Sequence, residues 1–171
     1  MNFPITQNQA LDQATRAYHN FERRQVPFAA IKLNIATQQG NKQVCDEIVE
    51  DNYRSEKDVI LKKSDAYVIL MQDTTLEVAE SATQRLKARL GQLRSYSNYS
   101  EQSNPIQASA YILGSSKGTQ GLLMRYLDLS PELNFKPPVD ISKPSFSEYI
   151  KWLNAPEKDN LQVRQRINIK I

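Results

Sequence analysis

The sequence predicts an α+β fold, an antiparallel sheet with helices packed on it in the ferredoxin-like manner, from three observations. Two apolar runs, Val59 to Leu61 and Tyr67 to Met71, flank a polar centre, Lys62-Lys63-Ser64-Asp65, of the length a tight hairpin needs. Upstream, FAAIKLNIA (Phe28 to Ala36) alternates, with Ala29, Ile31, Leu33 and Ile35 on one face and Lys32 and Asn34 on the other. Segments with three-four apolar spacing separate these strands, so the order reads helix, strand, helix, strand, strand, helix, strand, helix.

In the first helix, Asn8 to Gln25, the residues Leu11, Ala14, Tyr18 and Phe21 form the apolar stripe, and Pro27 marks its end. His19 lies off that stripe and reads as solvated. After the strand and the polar run TQQGNK, Val44, Ile48 and Val49 predict a short helix reaching about Asn52. The hairpin strands span roughly Lys57 to Lys63 and Ala66 to Gln72. The next helix opens on a capping box of Thr74 and Glu77 and carries Leu76, Ala79, Thr83, Leu86, Leu90 and Leu93 on one stripe. Arg94 to Pro105 reads as a polar loop, IQASAYILG as a strand, and GTQGLLMRYLDLSP as a short helix stopped by Pro131.

The chain divides at about residue 130. Residues 1–130 hold the domain; residues 131–171 form a proline-rich extension in which SFSEYIKWLN predicts a short helix. Its end, LQVRQRINIKI, alternates as a strand with one buried face. A strand or a tryptophan-bearing helix on such a connector can pack on its own domain or pair with another chain at a sheet edge. Phe146, Trp152, Val163, Ile167 and Ile169 are the interaction candidates, with a protein partner or a homodimer expected.

Composition narrows the function. Among 171 residues, 40% are apolar and 24% charged, and no apolar run approaches the roughly 18 residues of a membrane span. The start, MNFPITQNQALDQ, lacks the basic and apolar regions of a secretory signal, which points to the cytoplasm. One cysteine, Cys45, and one histidine leave no set for an internal disulfide, a zinc site or a Cys/His catalytic pair. A net charge of +3 spread along the chain gives no nucleic-acid footprint.

The central stretch resembles the bacterial GGDEF family, the diguanylate cyclases that condense two GTP into cyclic di-GMP. The family's Asp-Ile-Asp strand falls on Asn34-Ile35-Ala36 and its hairpin signature on Lys63-Ser64-Asp65-Ala66-Tyr67. Downstream, VILMQDTTLEVAESATQRLKARL resembles the strand, turn and Ala-rich helix; Ser109 matches the strand serine, and Leu123 to Asp128 the Leu-x-x-x-Ala-Asp helix. The likeness covers roughly residues 8 to 130 and implies a nucleotide-cyclase-like sheet. Family chemistry needs Mg²⁺ held by carboxylates, yet here the strand acid is the neutral amide Asn34 and only Asp65 remains of the hairpin acids. Lys63 and Ser64 replace the turn glycines, and the Phe-Lys, Asn-Asp and Gly-His landmarks are missing. The Arg-x-x-Asp product site falls on Arg54-Ser55-Glu56-Lys57, with Asp58 one place late.

The resemblance thus implies a degenerate, catalytically inactive module, regulatory or scaffolding, acting through protein contacts without a cofactor. Asn34, Lys62, Lys63, Ser64 and Asp65 form the nucleotide-binding remnant. The alternative is a sensor that binds GTP or cyclic di-GMP without turnover, or a residual cyclase, and only then is Mg²⁺ expected with GTP.

Overall fold

The computed structural model describes residues 5–36, 42–54, 56–63, 66–97, 100–105, 107–115, 121–128 and 146–154. Helix α1 (Gln7–Arg24) starts at a capping box: the Thr6 side chain accepts from the Gln9 N–H at 3.2 Å, and the Gln9 side chain accepts from the Thr6 N–H at 2.8 Å. It ends at Gln25, whose left-handed backbone returns an N–H to the Phe21 carbonyl. Strand β1 (Phe28–Ala36) follows, then α2 (Lys42–Asn52), β2 (Asp58–Lys62), β3 (Ala66–Gln72) and α3 (Leu76–Leu90). The chain continues through β4 (Arg94–Ser97), β5 (Ser100–Pro105), β6 (Gln107–Ser115), β7 (Leu122–Asp128) and α4 (Phe146–Asn154).

Five strands make one antiparallel sheet in the order β2-β3-β1-β6-β7. Strands β1, β2, β3 and β6 with α2 and α3 form the split βαβ arrangement of the ferredoxin-like fold, and β7 extends it at one edge. Alternation along β1 divides the core in two. Ala29, Ile31, Leu33 and Ile35 pack with Cys45 and Val49 of α2 and with Leu76, Ala79, Leu86 and Leu90 of α3. Phe28 and Ala30 pack on the opposite face with Ala14, Tyr18 and Phe21 of α1 and with Tyr149, Trp152 and Leu153 of α4. The Tyr18 and Tyr149 rings stack across the α1–α4 seam at 5.3 Å. On the α2/α3 face, Gly114 lets the first turn of α3 settle on β6, since a Cβ there would stand 3.0 Å from Leu76 Cδ1.

Three expectations are corrected. Within residues 94–105, expected as a polar loop, 94–97 and 100–105 form the β4–β5 ribbon, a separate two-stranded sheet. Main-chain pairing holds such a ribbon without the apolar alternation that would reveal it. Within the stretch expected as a helix before Pro131, Leu122–Asp128 is β7, paired with β6 from Leu122↔Ser115 to Asp128↔Ser109. A short apolar run has no period that separates a helix turn from a strand, and the unpaired edge of β6 decides. The N-cap of α3 is Thr75, which accepts from the Val78 N–H; Thr74 is buried and serves elsewhere.

Among the described residues no helix is long and apolar enough to cross a membrane. The expected terminal strand, Leu161 to Ile171, lies outside the described residues.

Candidate nucleotide site at the hairpin turn

The Lys63 N–H donates to the Ala66 carbonyl at 2.8 Å where the two strands meet; Ser64 and Asp65 lie outside the described residues. Strand register brings Asn34 of β1 beside Ala66 of β3 and Ser109 of β6. Three neighbouring strands therefore meet at this end of the sheet. Asn34 Nδ2 is buried there and finds no hydrogen-bond partner among the described residues.

Lys32 lies two residues back on the same face and is 5% exposed. Its Nζ donates to the Trp152 carbonyl at 2.8 Å and sits 5.5 Å from the Trp152 ring centroid. Burial, and then the charge of Lys63, lower the Lys32 pKa to about 8. Among the described residues, this side of the sheet end carries Lys32, Lys63 and the neutral amide of Asn34.

On the opposite face, α2 is tied to the hairpin by a polar network. Lys42 donates to Asp46 Oδ1 at 2.6 Å and to the Tyr67 hydroxyl at 2.8 Å, and Tyr67 donates to the same Asp46 oxygen. Lys62 pairs with Glu50 at 2.5 Å and approaches Asp46 at 3.9 Å. Burial alone would raise the Asp46 carboxyl, but the bonds from Lys42 and Tyr67 and the charges of Lys42 and Lys62 outweigh it and hold the group below its ordinary value. Burial first, then the bond to Asp46, pushes the Tyr67 hydroxyl up. Cys45, behind this network, is fully buried and its thiol is raised by burial, so it is packing rather than a nucleophile.

Among the described residues, this donor set offers no free carboxylate for a GTP-bound Mg²⁺. The described groups are a neutral amide, lysines, and two acids already paired with lysines, whereas a hard cation wants free anionic oxygens. Among the described residues no three His, Cys, Asp or Glu side chains come together.

At the other end of the hairpin, Arg54 is a clamp. Its Nη2 and Nε donate to Asp58 at 2.8 and 3.2 Å, and Nη2 also reaches the Gln72 carbonyl at 2.9 Å and Thr74 Oγ1 at 2.7 Å. The Asp58 side chain is fully buried, and the Arg54 main-chain N–H caps it at 2.8 Å. The arginine of the expected Arg-x-x-Asp pattern therefore pairs with the acid four places on and holds β2, β3 and the start of α3 together.

No family model and no curated protein matches the sequence. Among solved structures, the FimX GGDEF domain from Pseudomonas aeruginosa superposes with a TM-score of 0.54 at 13% identity, over 66% of this chain and 76% of that one. The active GGEEF domain of a diguanylate cyclase from Vibrio cholerae superposes with a TM-score of 0.53 at 14% identity, over 68% of this chain and 80% of that one. The chain has the fold of a GGDEF domain.

Within this GGDEF-like fold, the expected remnant residues divide by face. Asn34 and Lys63 are associated with the α1/α4 side, where Lys63 borders a groove with Leu61 and Leu153. Lys62 points to α2 and is consumed by Glu50. The tail candidates also separate. Trp152 is 5% exposed and packs inside its own chain, while Phe146 is 37% exposed and stacks on His19 at 5.2 Å. Val163, Ile167 and Ile169 lie outside the described residues. The Lys42, Asp46 and Tyr67 network was missed, although Lys42 and Asp46 stand four apart in the expected helix, the spacing of an intrahelical ion pair.

Proposed function

We propose that this GGDEF-like domain is a regulatory or scaffolding module that acts through protein contacts and does not turn over GTP. The observation that carries the reading is Asn34: a neutral amide stands beside Ala66 at the sheet end, where the described residues include Lys32 and Lys63 and no free carboxylate. Pairing of Asp46 and Glu50 with Lys42 and Lys62 supports it, because those acids are not free to replace the missing ligands. Incubation of the protein with GTP and Mg²⁺, followed by chromatography for cyclic di-GMP and pyrophosphate, tests the reading. No product above the protein-free control is expected. Cyclic di-GMP formed in proportion to protein would overturn it.

One observation favours a second reading, a sensor that holds GTP or cyclic di-GMP without turnover. Asn34 Nδ2 is a buried donor with no partner among the described residues, and an acceptor on a ligand would satisfy it. Calorimetric titration of the wild type and Asn34→Ala separates the two: the sensor binds saturably and the variant weakens it at least tenfold.

A further inference from the structure

Strand β2 ends the five-stranded sheet, and among the described residues no strand pairs with its outer side. Its residues Val59, Ile60 and Leu61 are only half-buried. Val59 and Leu61 contribute to the α1/α4 core and Ile60 to the α2/α3 core, so both cores are open at this edge. An uncovered edge exposes a row of N–H and C=O groups that another strand can pair. Beside it runs a groove walled by Leu11 of α1, Leu61 and Val68 of the hairpin, and Leu153, with Lys63 and Asn154 at its rim.

We infer that the chain's own C-terminal segment, Leu161 to Ile171, is the occupant of this edge, adding antiparallel to β2. The first argument is where α4 ends. Its last residue, Asn154, lines the same groove as Leu61, so the chain leaves α4 at the edge itself. Residues 155–160 give a connection of up to roughly 20 Å, ample to bring Leu161 onto β2. The second argument is the pattern of the segment. Leu161, Val163, Ile167, Ile169 and Ile171 share one face; Arg164, Arg166 and Lys170 share the other.

The two sides of the edge match those two faces. Toward α1 lies the apolar groove, which the aliphatic face closes. Toward α2 lies a polar side, Asp46 and Glu50 paired with Lys42 and Lys62, which the polar face of the segment meets. A one-residue slip would reverse both matches, so the register is specified by chemistry on both sides. Seated this way, the segment closes the α1/α4 core and removes an aggregation-prone edge.

Amide hydrogen exchange on the full chain tests this, read as the ratio of exchange in β2 to exchange in β3 so that any general loss of stability moves both alike. It is compared with a chain ending at Asn160 and with the double variant Ile167→Asp/Ile169→Asp, alongside a light-scattering mass. Tenfold or greater loss of relative β2 protection in both altered chains, with a monomer mass in all three, is the expected result. An unchanged ratio overturns the inference. So does protection that grows with protein concentration together with a doubled mass, which gives the edge to a second copy.

Discussion

The two faces of the sheet are covered by helices of different origin. On one face, α2 and α3 lie on the crossovers of the split βαβ arrangement, β1 to β2 and β3 to β6, each of which passes over one intervening strand. On the other, α1 and α4 come from opposite parts of the chain and meet over β1 through the stacked Tyr18 and Tyr149. The first face is locked at the hairpin by Lys42, Asp46, Tyr67, Lys62 and Glu50. The second keeps a buried lysine and an amide with no partner among the described residues at the same end of the sheet. The difference teaches that polar groups near the turn serve packing on the α2 side, while those on the α1/α4 side are held at a cost to stability.

If the late helix is as integral as the early ones, truncation on either face must collapse one common transition. Trp152→Ala should lower stability by about 4 kcal/mol and Leu86→Ala by about 3 kcal/mol, with urea unfolding remaining a single transition in both. A variant with two separated transitions would make the α1/α4 layer an accessory.

The buried Lys32 sharpens the contrast through pH. Its folded pKa is about 8, below the ordinary 10.5, so the unfolded chain binds the extra proton between those values. Below about pH 8 the folded state carries the full burden of the buried charge. Stability should therefore rise as pH goes from about 8 to above 10, by on the order of 2 kcal/mol. Lys32→Met should flatten that rise in denaturation midpoints taken across the same range.

On the α2 side the smallest effect is expected. Tyr67→Phe removes one hydroxyl but leaves Asp46 with Lys42 and Lys62, a loss of about 1 kcal/mol in urea titration.

The same contrast explains what the sequence made legible. Strand β1 was read to its boundaries because both of its faces alternate cleanly, and the hairpin because its polar centre has room for little but a turn. Helix α3 announced itself through a long stripe. The β4–β5 ribbon and β7 were not legible, since a polar ribbon has no core-facing period and a short apolar run takes its form from the strand edge it meets. At the candidate site, Asn34 and Lys63 were singled out by the GGDEF resemblance, which sets its strand motif on β1 and its signature on the hairpin. That Lys62 would turn to Glu50, or that Lys32 would bond the end of α4, depends on contacts between elements far apart in sequence, which no local pattern encodes.

A thermal melt with millimolar GTP or cyclic di-GMP, each with and without Mg²⁺, tests most directly whether the hairpin end still serves nucleotides. A ligand at a hundred times its dissociation constant stabilises the folded state by about 2.7 kcal/mol, several degrees for a chain of this size. The account predicts an unchanged Tm in every arm. A saturable rise that Lys63→Ala or Asn34→Ala abolishes would contradict it.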